Sequence, residues 1–221
     1  ATRLRLKYCE AKKNLKQSSG HPNILIHNVP MPFSLEEDIV KNSKNEQKLL
    51  PLLIEGLDIL QDKVDFIVIP CNTAHIFIGE VRSKSKIPIL SIIEEVVDKI
   101  KNKKLKKVGI LATSKTVQKK LFDSKLTINN IQCVKPNESD QSRISEIIHL
   151  ILKGRKSSKL KFELLEIADK LKKQGAEAII LGCTDLQLLM EQKDSSIELI
   201  DTMEVLSDSV VRLLNQKDNL G

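Results

Sequence analysis

The chain contains no tryptophan and only one tyrosine, and aromatic residues make up 3% of its 221 residues. Single-stranded nucleic acids are usually held by aromatic side chains on which bases stack. This shortage argues against a nucleic-acid partner, despite a net charge of +7. The lysines are interleaved with acidic residues on predicted helix faces, as in residues 159–163 and 169–173. A positive field that attracts small anions explains the excess charge equally well.

Long apolar runs and paired cysteines are also missing. No apolar run approaches the roughly 18 residues that span a bilayer, and residues 1–6 do not resemble a signal peptide. The four cysteines are widely spaced and include no Cys-x-x-Cys pair, which argues against a disulfide scaffold and a zinc knuckle. We therefore expect a protein of the reducing cytoplasm with no membrane span and no metal site.

Short β-rich runs alternate with amphipathic stretches, a pattern typical of parallel sheets flanked by helices. The fold class that we predict is therefore α/β. The predicted strands are residues 23–27, 65–70, 87–91, 107–112, 131–134, 177–182 and 198–200. The predicted helices are residues 2–15, 46–61, 74–83, a short one opened by 113–116, 142–152, 159–174 and 205–214.

The two halves of the chain repeat one plan, which indicates a duplication. The second half begins with a strand, whereas the first begins directly with a helix. If the halves are duplicates, a strand and a tight turn should precede Ala1. We therefore expect the first domain of this sequence to lack its first strand.

In each half a cysteine follows a buried strand and precedes a helix, at Cys71 and at Cys183. Open α/β sheets bind ligands at this end of their strands, and a helix N-terminus is expected to lower a thiol pKa. Most cysteines are simply small buried hydrophobes, and we interpret Cys9 and Cys133 in that way. Two thiols in equivalent places can face one carbon acid from opposite sides, so that one removes a proton and the other delivers one. The pattern thus predicts inversion at carbon.

Small polar residues follow each cysteine. Asn72 and Thr73 follow the first, and Thr184 and Asp185 follow the second. Such side chains cap helices or hold a carboxylate. His75 has two open interpretations: it polarises Cys71, or it caps the helix that follows.

Residues 70–75 and 181–186 resemble the two signatures of the aspartate/glutamate racemase family, and their separation along the chain also fits that family. Further similarities lie at residues 88–95, 109–116 and 200–202, so the resemblance covers nearly the whole chain. His75, and an acid rather than a histidine after the second Cys-Thr, make the chain more similar to aspartate racemases than to glutamate racemases of cell-wall synthesis.

The resemblance implies two pseudo-symmetric α/β domains with the active site between them, and no pyridoxal phosphate or other cofactor. We place the first domain at residues 1–92 with 203–221 and the second at 93–202. The implied substrate is a small acidic amino acid, with aspartate preferred and glutamate as the second choice. The implied catalytic residues are Cys71 and Cys183, with His75 and Asp185 supporting them. The implied substrate-binding residues are Asn72, Thr73, Thr113, Lys153 and Thr184, of which Lys153 would hold the side-chain carboxylate.

One departure from the family bears on the substrate. Some members carry an arginine soon after the first proline-rich loop, whereas residues 31–36 here contain none. A bidentate guanidinium clamp from that loop is therefore absent, which leaves aspartate, glutamate and other diacids open. The remaining alternatives are a diacid isomerase or hydantoin racemase of the same superfamily and a metabolite-binding relative without turnover. The sequence does not fix the oligomeric state, and a homodimer is one option.

Overall fold

The computed structural model of the chain describes Lys7 and residues 22–218, the last three by their backbone alone. The predicted helix at residues 2–15, apart from Lys7, and Cys9 thus lie outside the described residues. Parallel strands alternate with helices along the rest of the chain, which confirms the predicted α/β class.

The first part of the described chain contains short helices and two short strands. In chain order these are α1 (Phe33–Val40), a 3-10 turn (Glu46–Lys48), α2 (Leu49–Leu60), β1 (Ile67–Val68), a 3-10 turn (Thr73–Phe77), α3 (Ile78–Lys84), β2 (Ile89–Leu90) and α4 (Ile92–Asn102).

The second part contains four strands and the longer helices. In chain order these are β3 (Lys107–Leu111), α5 (Ser114–Gln118), α6 (Asp123–Ile128), β4 (Gln132–Val134), α7 (Glu138–Leu152), α8 (Ser158–Lys173), β5 (Ala178–Leu181), 3-10 turns (Leu186–Leu188 and Gln192–Asp194), β6 (Glu198–Asp201) and α9 (Thr202–Asp218).

All described strands are parallel to their neighbours. β1 pairs with β2, and the larger sheet has the order β4-β3-β5-β6. Because the strands of a parallel sheet end at a common edge, the residues that follow β3, β5 and β6 lie close together. Thr113, Cys183 and Thr202 occupy these places.

Alternating side chains of the larger sheet form cores on both of its faces. Ile179 and Leu181 of β5 pack with α7 and α8, whereas Ala178 and Ile180 pack with α4, α6 and α9. This period of two is what a strand covered on both sides requires. A third apolar cluster joins α1, α2, α3 and β2.

The predicted strand at residues 23–27 is wrong. These residues form no strand, and Leu25 and Ile26 are 43% and 70% exposed. A strand needs a neighbour that satisfies its backbone groups, and β1 is paired in the described sheet only with β2.

Several helices begin earlier than predicted because side chains cap them. Asn137 accepts a hydrogen bond of 2.8 Å from the Asp140 N–H, so α7 starts at Glu138. Asp201 accepts one of 2.9 Å from the Met203 N–H at the start of α9. In the described part of the chain, no helix is both long enough and apolar enough to cross a membrane.

Candidate active site

A small cleft lies where the strand ends meet α1, α2 and α7. Its volume is about 80 Å³, well below the roughly 300 Å³ at which pockets for drug-sized ligands begin, so it suits a small ligand. Both candidate cysteines line the same cleft. Its polar lining is Glu36, Cys71, Asn72, Thr73, Thr113, Cys183, Thr184 and Asp185, and its apolar lining is Met31, Ile39, Val40, Leu49, Ile148 and Leu152.

Cys71 lies in the turn between β1 and the 3-10 turn that precedes α3. Burial of its sulfur in the wall of the cleft raises the pKa of the thiol, although the residue as a whole is exposed. The backbone N–H groups of Ala74 and Thr73 lower this pKa only in part. The expected net lowering of the Cys71 pKa is therefore wrong, because desolvation outweighs the helix-start donors.

Cys183 follows β5 and donates its thiol hydrogen to Oδ2 of Asp185 at 3.7 Å. Burial, followed by the negative charge of Asp185, raises the pKa of the Cys183 thiol, which also contradicts the expected lowering. The charge of Cys71 acts in the same direction, so the two sulfurs lie close enough to influence each other. Burial also raises the pKa of Asp185.

His75 does not contact the Cys71 thiol through either ring nitrogen. Nδ1 donates to the Cys71 carbonyl oxygen at 2.8 Å, and Nε2 accepts from the Ile92 N–H at 3.1 Å. A carbonyl can only accept and an amide N–H can only donate, so the ring is neutral with its proton on Nδ1. Burial lowers the pKa of His75 to about 4. His75 thus ties the Cys71 turn to the start of α4.

Three threonine hydroxyls form a triangle beside the cysteines. Thr73 Oγ1 lies 3.1 Å from Oγ1 of both Thr113 and Thr116, and the latter two are 3.0 Å apart. Thr113 also caps α5 by accepting from the Thr116 N–H at 3.2 Å. Thr116 was not among the predicted site residues, although its spacing three residues after a capping threonine is a usable signal.

Asn72 is 2% exposed and has one unused polar atom. Its Nδ2 donates to Thr202 Oγ1 at 3.0 Å, and this hydroxyl donates to the Leu181 carbonyl at 3.0 Å. Oδ1 finds no hydrogen-bond partner among the described residues. A buried acceptor without a partner costs about 1–3 kcal/mol, so this oxygen is available to a donor group of a ligand.

Lys153 does not line the cleft. It follows α7, its side chain is 53% exposed, and Nζ lies 3.8 Å from a Glu37 carboxylate oxygen. Its predicted role in holding a substrate carboxylate stays a prediction. Among the lining residues that the structure describes, none is lysine or arginine. The described ranges also hold no cluster of three or more His, Cys, Asp or Glu side chains that could bind a metal ion.

Sequence reasoning missed the wall of the cleft that lies opposite the motifs. This wall comes from α1, the start of α2 and the end of α7, and it includes the carboxylate of Glu36. No motif marks these residues, since only the tertiary packing of α1 against α7 brings them to the cysteines. The absence of an arginine in residues 31–36 was the one sequence signal for this wall.

Comparison with known proteins gives consistent results. The family model described as Asp/Glu/hydantoin racemase matches residues 8–210. The chain is 26% identical over 205 residues to the broad specificity amino-acid racemase RacX of Bacillus subtilis (strain 168), covering 92% of this chain and 87% of that protein.

Solved structures are similar over nearly the whole chain. An aspartate racemase homologue from Pyrococcus horikoshii OT3 matches with a TM-score of 0.73 and 24% identity, covering 96% of this chain and 92% of the other. Picrophilus torridus aspartate racemase matches with a TM-score of 0.72 and 23% identity, covering 95% and 88%. At such low identity these two structures establish the fold rather than the chemistry.

Proposed function

The chain belongs to the Asp/Glu/hydantoin racemase family, and from this premise we propose that it racemises an amino acid by a two-base mechanism in which Cys71 and Cys183 exchange protons with Cα. The observation that carries the proposal is that both thiols line one small cleft. Neither a metal nor pyridoxal phosphate has a step in this mechanism.

Cys71 is the better candidate for the thiolate once an amino acid is bound. It accepts hydrogen bonds from the Ala74 and Thr73 N–H groups, which favour a negative sulfur. Cys183 accepts from the N–H group of Asp185 alone, and its thiol donates to the carboxylate of the same residue at 3.7 Å, whose negative charge disfavours a thiolate. We therefore assign the first proton abstraction to Cys71 and the first proton delivery to Cys183.

Two proton transfers then complete one turnover. The Cys71 thiolate takes the Cα proton and becomes a thiol, and the electron pair left on carbon is delocalised into the substrate carboxylate. The Cys183 thiol gives its proton to the opposite face of Cα and becomes a thiolate. Reprotonation of Cys183 and loss of the Cys71 proton to solvent restore the starting state.

The polar lining supplies the groups that hold the two ends of an amino acid. The free Oδ1 of Asn72 suits the α-ammonium group. The hydroxyls of Thr73, Thr113 and Thr184, which line the cleft, suit the α-carboxylate. Each interaction orients Cα between the sulfurs, which is the main requirement for proton transfer.

Exchange at Cα in deuterated water tests the proposal. The chain is dialysed against a chelator, treated with hydroxylamine to trap any pyridoxal phosphate, and incubated with the L-forms of aspartate, glutamate, glutamine, methionine and lysine. We expect at least one of them to yield its D-enantiomer with deuterium at Cα. Absence of exchange with every amino acid would indicate a binding protein, and activity that requires the undialysed sample would indicate a cofactor. Either result overturns the proposal.

A further inference from the structure

The wall of the cleft that faces the motifs is apolar, with a carboxylate at its edge. α1 contributes Ile39 and Val40 together with Glu36, and α7 contributes Ile148 and Leu152. Nothing in this wall resembles a site for an anionic side chain, because its one charged group is itself an anion.

A second carboxylate lies in the same cleft. Asp185 is close enough to Glu36 for its charge to raise the pKa of Glu36, in addition to the larger effect of burial. Burial raises the pKa of Asp185, and the charge of Lys156 opposes this rise only in part; Lys156 is exposed and outside the described lining. Two carboxylates therefore share a small space with no lysine or arginine among the described lining residues.

Two basic residues at the C-terminal end of α7 contact a different carboxylate. Glu37, the neighbour of Glu36 on α1, lies 3.3 Å from His149 Nε2 and 3.8 Å from Lys153 Nζ. His149 and Lys153 line a surface groove that shares no described lining residue with the cleft. The side chain of Lys153 is thus directed to Glu37 rather than to a ligand beside the cysteines.

Asn72 independently indicates that a ligand enters the cleft with a hydrogen-bond donor. Its unpaired Oδ1 is buried next to Cys71. If this oxygen takes the α-ammonium group, the substrate side chain meets the apolar wall and Glu36. A side-chain carboxylate there would add a third negative charge to a desolvated site, which is strongly unfavourable.

We infer, on the basis of the proposed function, that the substrate is an amino acid with an apolar stem and a cationic end, such as lysine or ornithine, and that Glu36 determines this specificity. The apolar wall contacts the methylene groups, and Glu36 pairs with the ω-ammonium. Neutral side chains of similar length bind less well, and aspartate and glutamate bind worst. This order differs from the acidic substrate that the family resemblance implies.

Matched amino acids and a charge-neutral variant test the inference. Initial rates of Cα deuterium exchange are measured for lysine, methionine and glutamate with the wild-type chain, Glu36→Gln and Glu55→Gln. Glu55→Gln removes the same charge from an exposed position on α2 and serves as the control. We expect kcat/KM of the wild type to be at least about tenfold higher for lysine than for glutamate, equivalent to about 1.4 kcal/mol.

Glu36→Gln should lower the ratio of kcat/KM for lysine to kcat/KM for glutamate by about tenfold, mainly by raising KM for lysine. The kcat/KM for methionine should change little. Glu55→Gln should keep the wild-type ratio. Thermal melting of the variants shows that each is folded. Faster exchange of glutamate or methionine than of lysine in the wild type, or an unchanged ratio in folded Glu36→Gln, would overturn the inference while leaving the racemase proposal intact. Loss of exchange with all three amino acids in the wild type would count against the racemase proposal instead.

Discussion

Hydrogen bonds, burial and nearby charges act in opposite directions on the pKa values of the two cysteine thiols. The N–H groups of Ala74 and Thr73 favour a Cys71 thiolate, whereas burial and the charges of Asp185 and Glu36 disfavour it, and the net effect is a raised pKa. An α-ammonium group bound between the sulfurs would supply the missing positive charge and lower both thiol pKa values. Ionisation of Cys71 is therefore expected to be coupled to substrate binding.

A prediction at the residue scale concerns His75, whose two hydrogen bonds no amide side chain can replace together. A glutamine amide can take the place of Nε2 but not of Nδ1, so His75→Gln leaves the partly buried carbonyl of Cys71 without its donor. We expect it to lower the free energy of unfolding by about 1–3 kcal/mol at pH 7. Urea unfolding of both proteins gives this difference.

The same substitution should change the pH dependence of stability. The folded-state pKa of His75 is lowered to about 4, against about 6.5 for an unfolded histidine. Its contribution is therefore fully present above pH 6.5 and is lost as the pH falls from 6.5 towards 4, because the unfolded chain binds the proton first. Unfolding free energies measured across this range should fall less steeply for His75→Gln. Equal slopes for the variant and the wild type would contradict the assignment.

At the scale of elements, Gly182 sets how closely β5 can approach β3. Its N–H donates to the Leu111 carbonyl at 2.7 Å, and a Cβ at this position would lie 2.9 Å from the Cβ of Ala112 and 3.3 Å from the Leu111 backbone oxygen. These strand ends lead directly to Thr113 and Cys183. Gly182→Ala should therefore cost about 1–3 kcal/mol of stability and, under the proposed mechanism, reduce kcat by displacing the Cys183 sulfur.

Gly79 provides the matched control for this substitution. It lies in α3, and a Cβ there would have nothing within 4 Å. Gly79→Ala should raise stability by about 0.5–1 kcal/mol and leave the exchange rate unchanged. The melting temperature and the exchange rate are measured for both variants. If Gly182→Ala matches Gly79→Ala in both measurements, the close approach of β5 to β3 has no role in the site.

An ion pair between Arg82 and Glu94 also connects the elements that surround His75. The Arg82 guanidinium on α3 donates to both Glu94 carboxylate oxygens, at 3.0 and 2.8 Å, and to the Ile89 carbonyl. These contacts, together with Lys125, lower the pKa of Glu94 to about 2. The pair thereby connects α3, β2 and α4 around Ile92, the partner of His75.

The larger sheet could be predicted from the sequence more fully than the first part of the chain. Apolar runs such as residues 107–112 and 177–182 are bounded by turn residues, and each has a strand neighbour that makes the prediction hold. The apolar run at residues 23–27 has the same local pattern but no pairing strand, so it stays irregular. The local sequence pattern indicates whether a segment tends to be extended, whereas its pairing with another strand depends on the rest of the fold.

At the scale of the whole molecule, the predicted site residues near the two motifs meet because parallel strand ends converge. Asn72 contacts Thr202, and Thr73 contacts Thr113, although each pair is far apart in sequence. Glu36 and the apolar wall could not be predicted in this way, since their positions depend on helix packing. The domain bounds at residues 92 and 203 stay predictions, and α9 packs against α4.

Contacts across the molecule also make the site depend on both parts of the chain. Lys115, only 8% exposed, lies 3.1 Å from Glu46 in the turn before α2, and His75 bonds to the first residue of α4. Breaking one member of a buried ion pair is costly because the other charge stays desolvated. The Lys115–Glu46 pair thus connects the first part of the chain, which carries Cys71, with the second part, which carries Cys183.

The central claim, that two thiols work on opposite faces of one carbon, is tested most directly with Cys71→Ala and Cys183→Ala. For the best amino acid of the panel, racemisation and Cα deuterium exchange are followed from each pure enantiomer. We expect both variants to lose racemisation and each to keep exchange from one enantiomer only, the opposite one in the two variants. Racemisation close to the wild-type rate in either variant, or exchange from the same enantiomer in both, would contradict it.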